Sequence, residues 1–213
     1  MKHLSLKERS YLIIKEKILN GDFEPGSRIR EDILAEEISI SRTPVREAIN
    51  LLSAEGFLNN IPRKGIFMID PTKEEIIDML EVRIVLECLA VEKFIDVMKN
   101  EDISALENIL DEFKEALEKE DYKKCNKLDS AFHMTIAKTV GNKMLSKFLS
   151  EIDDFMQIAR YIEKKADSKA KNEKTLQEHS KILNYIKERD KAAARQAIIE
   201  NIWTMKKNLN IDK

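Results

Sequence analysis

Residues that break regular structure are scarce in this chain. Its 213 residues include only five glycines and four prolines, a composition that favours long helices with few turns. The two cysteines, Cys88 and Cys125, are far apart and form no CxxC pair, so we expect buried, reduced thiols. Long apolar runs and the apolar core of a signal peptide are also missing. These absences predict a cytoplasmic protein with no membrane partner.

Charged residues, by contrast, are abundant. They make up 36% of the chain, yet their signs nearly cancel and the net charge is −2. A protein of this charge has no global positive field, so binding to nucleic acid would require a local basic patch. Hydrophobic residues make up 43% of the chain, which is enough to bury a core, and the length fits one or two domains.

A local basic patch surrounds Pro44. Proline is tolerated in the first turn of a helix, so a helix is predicted to begin here, capped by Ser41 or Thr43. Downstream apolar residues recur at helical spacing and predict a buried face. Arg42 and Arg46, one turn apart, then share the outward side near the helix N-terminus.

A second short helix is predicted just upstream, over residues 33–38, with a tight turn over residues 39–41 between the two. Two helices joined by such a turn, with basic residues leading the second helix, form the DNA-reading helix-turn-helix pattern. Arg42 and Arg46 would reach guanine edges or adjacent phosphates, and Thr43 would make a shorter contact. The alternative is a helical hairpin with a solvated arginine pair.

A basic turn follows this motif. Residues 57–61 and 66–69 are strand-like, and the turn between them contains Arg63, Lys64 and Gly65. A strand, a turn of this length and a second strand predict a β-hairpin, or wing. Its cations would meet phosphates or the minor groove beside the recognition helix, the alternative being an ordinary exposed turn.

Beyond residue 71 the pattern is entirely helical, and short connections favour antiparallel neighbours in an up-down bundle. The predicted helices lie near residues 73–98, 102–119, 121–139, 143–165, 170–189 and 191–209.

Two of the three histidines fall in these helices. Asp129 and His133, four residues apart, lie on the same face of one helix. The chain is expected to reverse near residue 190, and His179 and Asn201 lie about equally far before and after that point. Because both helices rise equally per residue, the two side chains should lie at the same height on neighbouring helices. Carboxylate and imidazole ligands suit a divalent zinc, nickel, manganese or iron ion. The alternative is a pair of core histidines satisfied by their neighbours.

One arginine of the helical region is a candidate for ligand binding. Arg83 lies in its first long helix and is predicted to contact the carboxylate of a small-molecule effector. The alternative is an ion pair on the helix surface with Glu87, four residues on.

The N-terminal motifs resemble, in order and spacing, the winged-helix domain of the GntR family of bacterial transcription regulators. They lie at residues 25–27, 34–36, 41–48 and 55–56. The resemblance implies a winged helix-turn-helix DNA-binding domain over residues 1–71. Asp32 departs from the family pattern, because many members carry arginine there. Arg30 is expected to replace the phosphate contact of that arginine.

The helical region resembles the effector domain called FCD, of the FadR-like subfamily. The matching positions are Arg83, 86–87, Asp129, 132–133, Ile136, 141–142 and 178–179. The resemblance implies that residues 72–213 bind an effector and dimerise, and that one Asp and three His hold a metal. The third His position falls on Asn201, whose neutral carbonyl oxygen implies a weaker metal site.

Together these features predict a homodimeric regulator, most often a repressor in this family. It would bind a palindromic double-stranded DNA operator and sense an organic or sugar acid. Two rival functions stay open at this point. One is a small metalloenzyme that uses the Asp/His site and a metal-bound water. The other is a DNA-binding protein that responds to no effector.

Overall fold

Helices dominate the structure, a computed structural model that describes residues 4–162 and 168–208. Contacts between residues divide the chain into two units. One holds Met1–Thr72 and Gln157–Ile162, and the other holds Lys73–Met156 and Glu163–Lys213. The predicted fold class is confirmed, since a winged helix-turn-helix precedes an all-α antiparallel bundle.

The first unit builds its helices around one apolar core. Its elements are α1 (Leu6–Leu19), β1 (Arg28–Ile29), α2 (Glu31–Glu37), α3 (Arg42–Ala54), β2 (Leu58–Ile61) and β3 (Gly65–Met68). The stripe of α3 that the spacing predicts is fully buried: Val45, Ala48, Ile49 and Leu52 are each 0% exposed. This burial fixes which side of α3 is left for solvent.

The sheet of this unit has three strands in the order β1-β3-β2, all antiparallel. The wing hairpin of β2 and β3 was predicted, but β1 was not. In β3 the side chains of Ile66 and Met68 are buried, whereas Gly65 and Phe67 lie on the other, partly exposed face. Arg28 pairs with Phe67, so its side chain also stands on that outer face.

The second unit contains five described helices and most of a sixth. They are α4 (Lys73–Val97), α5 (Asn100–Glu118), α6 (Tyr122–Thr139), α7 (Lys143–Ile162), α8 (Lys169–Lys187) and α9 (Lys191–Asn208). The end of α7, over Gln157–Ile162, belongs to the first unit. Predicted ends that the structure describes agree within two residues, whereas those at residues 165 and 209 lie outside the described residues.

Neighbours in this bundle are not only neighbours in sequence. Helix α4 packs against α9 and α6, while α5 packs against α6 and α8, and α8 packs against α6 and α9. Side chains from α4, α6 and α8 therefore meet inside the bundle. In the part of the chain that is described, no helix combines the length and the apolarity needed to cross a membrane.

Candidate functional site

The first turn of α3 exposes the polar residues that the sequence singled out. Arg42, Thr43 and Arg46 are exposed, while the opposite side of the helix is buried. Ser41 occupies the N-cap position with extended backbone, but its side chain makes no capping hydrogen bond. Thr43 lies inside the helix and is not the cap. The hydroxyl of Ser41 is therefore exposed beside the arginines.

Two arginines near this turn are already held by carboxylates. Arg46 Nε donates to Glu31 Oε2 at 3.0 Å. Arg30 forms a two-point pair with Asp32, through Nε at 3.3 Å and Nη2 at 2.8 Å. The hydrogen bond from Arg30 lowers the pKa of Asp32. Asp32, the departure from the family pattern, thus directly neutralises the arginine that was expected to replace its phosphate contact.

The wing ends in a tight turn. The N–H of Lys64 donates to the carbonyl of Ile61 at 3.0 Å, and the third residue of this β-turn, Arg63, has a φ of 64°. That left-handed conformation is one that favours glycine or asparagine. Arg63 and Lys64 are both exposed. The turn thus presents two adjacent cations at the end of the hairpin.

Three predicted metal ligands converge inside the bundle. Nε2 of His133 lies 3.1 Å from Nε2 of His179, which lies 3.3 Å from Oδ1 of Asp129. Donor atoms in a tetrahedral zinc site with bonds of about 2.1 Å would be separated by about 3.4 Å. Both histidines are buried, and Asp129 is partly buried. The spacing and chemistry of these donors therefore fit a divalent metal.

The outer nitrogen of His133 faces a second carboxylate. Its Nδ1 lies 2.5 Å from Glu87 Oε2, which is within ion-pair distance. The geometry at Nδ1 is not that of a hydrogen bond, because the ring N–H does not point directly at an acceptor. Oε1 of the same carboxylate accepts from Arg83 Nε at 2.6 Å. A carboxylate at Nδ1 favours the tautomer whose Nε2 carries a lone pair, which is the form that binds metal. Glu87 thus orients His133 towards the cluster.

Burial and charge act in opposite directions on these groups. Burial alone would raise the pKa of Glu87, but the charge of Arg83 and the contact with His133 outweigh it and lower that pKa to about 2. Burial lowers the pKa of His179 and outweighs the hydrogen bond to Asp129. His179 is thereby favoured as the neutral imidazole that metals bind. Its Nδ1 has no hydrogen-bond partner among the described residues, and its ring stacks on Phe132 with centroids 4.5 Å apart.

Asn201 lies buried on α9, opposite α8. Its Nδ2 donates to Glu178 Oε2 at 2.9 Å, and Thr204 Oγ1 donates to Oε1 of that carboxylate at 2.8 Å. Glu178 immediately precedes His179, so α8 and α9 come level near these residues, and the placement of Asn201 at the donor cluster stays a prediction. The amide nitrogen of Asn201 is committed to Glu178.

Arg83 is buried, at 4% exposure, so the alternative of a surface ion pair was wrong about its location and right about its partner, Glu87. The two residues line a cavity with His133 and Asp153, with Met134 and Leu149 completing its wall. Its volume is about 10 Å³, room for roughly one water. An organic acid would enter only if this cavity widened.

Two known protein families match this chain, one in its N-terminal part and one in its helical part. Residues 78–202 match the FCD domain, and residues 6–68 match the family described as bacterial regulatory proteins, gntR family. The chain belongs to the GntR family. Its members with an FCD effector-binding domain are bacterial transcription regulators, so the protein is a regulator and the rival prediction of a metalloenzyme is not supported.

Individual GntR relatives agree. The chain is 34% identical over 191 residues to YdhC, an HTH-type transcriptional regulator of Bacillus subtilis, covering 89% of this chain and 84% of YdhC. The gluconate operon transcriptional repressor of B. subtilis is 26% identical over 191 residues, at 88% and 78% coverage. The structure of Escherichia coli McbR/YncC has the same fold, with a TM-score of 0.88, 22% identity and 98% of each chain covered.

Three carboxylates of these sites have roles that the sequence did not indicate. Glu87 was noted only as a partner of Arg83, and its contact with His133 was not predicted. Asp153 beside the cavity and Glu31 beside Arg46 were not predicted at all. Each acts across a helix–helix packing or a turn, where no fixed spacing in the sequence would reveal it.

Proposed function

We propose that this GntR-family chain is a homodimeric repressor that binds a palindromic operator in the cytoplasm and is controlled by a small organic or sugar acid. In this assignment residues 1–71 bind DNA, and residues 72–213 bind the effector and dimerise. The observation that carries the proposal is the exposed, basic first turn of α3, in one small unit with a basic wing.

Recognition of DNA by α3 would use both long and short side chains. Arg42 and Arg46 have the length and fork geometry for guanine O6 and N7, while Ser41 and Thr43 suit phosphates or nearer base edges. Arg46 is held through Nε by Glu31, which leaves its two terminal nitrogens for such a bidentate contact. Glu31 would therefore orient Arg46 and leave both of its terminal nitrogens able to donate to a base.

Wing contacts would be less specific. Arg63 and Lys64 would bind phosphates or the minor groove, as the sequence predicts. Arg30 can do so only by exchanging Asp32 for a phosphate, because its guanidinium is occupied. We therefore assign it a smaller part than Arg63 and Lys64, the exposed cations of the wing.

The dimer proposal is supported by an apolar stripe on α4. Val82, Val85 and Leu89 are 51%, 66% and 39% exposed and recur at helical spacing. They lie on one helix side, while the opposite side of α4 is buried. A self-complementary apolar surface of this kind suits the two-fold contact of a homodimer. A two-fold dimer in turn requires a palindromic operator.

The metal proposal is supported by the donor cluster and its outer carboxylate. Asp129, His133 and His179 would hold the ion, and Oδ1 of Asn201 would be a weak fourth ligand. When bound, a zinc, nickel, manganese or iron ion would offer open coordination positions to a carboxylate or hydroxyl of the effector. Arg83 would then contact the carboxylate once the cavity widens. The relative that represses the gluconate operon supports a sugar acid as the effector class.

DNA binding is tested by selecting duplexes from a random pool with the intact protein at moderate salt. We expect an enriched palindrome and its loss in the double variant Arg42→Ala, Arg46→Ala. Arg195→Ala is the matched control, since it removes an exposed arginine from α9 in the other unit. Recovery of no enriched sequence by the wild type would overturn the proposal.

The sensor role is tested by thermal shift with a panel of organic and sugar acids, with and without chelator. A shift that appears only with metal supports a metal-dependent sensor, and elemental analysis should show metal that His133→Ala loses. Equal metal content in both proteins would remove the site. No shift with any acid would favour the rival of an effector-independent DNA-binding protein.

A further inference from the structure

Arg28 lies on the outer face of the small sheet, at the base of the wing. It belongs to β1 and pairs with Phe67 of β3. The diagonal neighbour of that pair, on the same face, is Gly65. Arg28 is exposed, and the hydrogen bonds and ion pairs of the described residues include none from its side chain.

The guanidinium of Arg28 rests directly against Gly65. A Cβ built on Gly65 would lie 3.0 Å from Nε, 3.2 Å from Nη2 and 3.4 Å from Cζ of Arg28. A residue with a side chain at position 65 would therefore make the guanidinium shift by a few tenths of an ångström. It would also have to adopt the φ of 114° that Gly65 has, a value that side chains disfavour.

Two other arginines of this unit form ion pairs. Arg46 and Arg30 are each held by a carboxylate, Glu31 and Asp32 respectively. Such an arginine must give up or share an ion pair when it meets a phosphate. Arg28 has no such partner to lose, so its contact with a phosphate would contribute fully to affinity.

We propose that Arg28 is a third DNA-contacting cation of the wing, which binds a backbone phosphate, and that the missing side chain of Gly65 leaves room for its guanidinium to lie against the sheet. This inference rests on the proposed DNA-binding function. It gives the wing three cations, of which Arg63 and Lys64 lie at the turn and Arg28 at its base. It also gives Gly65 a role beyond the geometry of the turn.

The test measures affinity against salt concentration for the intact protein on the selected operator and on a scrambled duplex. Arg28→Ala should weaken binding to both duplexes by a similar factor, roughly tenfold per subunit. The slope of log K against log salt should become shallower by about 0.9 per subunit, the value for one phosphate contact. Arg28→Lys should retain the slope, because it keeps the charge.

Three controls separate the possible failures. Arg195→Ala should leave the slope unchanged. The melting temperature of Arg28→Ala should match the wild type, because the side chain is exposed. Arg42→Ala, run in parallel, reports on the proposed function itself.

Loss of binding in Arg42→Ala with an unchanged slope in Arg28→Ala would overturn this inference alone. If wild-type protein bound neither duplex, the proposed function would fall with it. Loss of discrimination at one base pair with an unchanged slope would also overturn the phosphate contact, since it would indicate base reading.

Discussion

Replacing Glu87 by Gln would test whether the outer carboxylate prepares His133 for metal. The substitution keeps the size of the side chain but removes its charge and turns one acceptor into a donor. Oε1 now accepts from Arg83 at 2.6 Å, and Oε2 lies 2.5 Å from His133 Nδ1. The single carbonyl oxygen of a glutamine can serve only one of these two nitrogens.

Both orientations of that glutamine carry a cost. Arg83 cannot lose its proton, so an amide NH₂ turned towards it would place two donors face to face. If the carbonyl faces Arg83 instead, the NH₂ faces His133 Nδ1 and favours its unprotonated form. The proton of the imidazole then moves to Nε2, the atom that must bind metal. Removal of such outer-shell partners lowers metal affinity by about 10- to 100-fold, or about 1.4–2.7 kcal/mol.

The assay is a competitive metal titration of wild type and Glu87→Gln, performed well below the melting temperature of both. Glu92→Gln is the matched control, because Glu92 lies on the same helix and accepts from Arg195 Nη1 at 2.8 Å without touching a histidine. The free energy of unfolding, measured with chelator and so without metal, gives separately the stability lost by weakening the buried ion pair between Arg83 and Glu87. We expect that loss to be about 3 kcal/mol. Metal affinity within twofold of wild type, or an equal loss in Glu92→Gln, would refute the reasoning.

Three further substitutions follow from the structure. Ser39→Gly should stabilise the first unit by about 0.5–1 kcal/mol in urea unfolding, because Ser39 has a φ of 54°; Ser39→Ala should give no gain. Val85→Glu should shift sedimentation towards monomer, because it puts a charge in the exposed stripe of α4; an unchanged dimer would place the interface elsewhere. Asn201→His should raise metal affinity in titration by supplying an imidazole; unchanged affinity would place Asn201 outside the coordination sphere.

Local patterns were enough to predict most of the fold. The start of α3 was predicted because proline, caps and apolar spacing all act within one or two turns. The short strand β1 was missed, because its two residues become a strand only by pairing with β3. Two residues cannot show the alternation by which a strand is recognised in sequence.

Part of the candidate site was predictable for the same reason. Asp129 and His133 are related by one helical turn, and His179 and Asn201 by an antiparallel hairpin, so spacing alone places each pair. Glu87 meets His133 through the packing of α4 against α6, which depends on how whole helices are arranged. The sequence therefore indicated the proposed ligands but not Glu87, the carboxylate that contacts one of them.

Glu87 contacts both Arg83 and His133, the two residues of the second unit to which we assign sensing roles. One of its oxygens binds Arg83, which is assigned to the effector, and the other faces His133, which is assigned to the metal. A ligand carboxylate that takes Arg83 must compete with Glu87 and so changes how firmly Glu87 holds His133. Binding free energies at two such sites are reciprocally coupled. Metal and acid should therefore shift the melting temperature by amounts that do not add, and Glu87→Gln should make them additive.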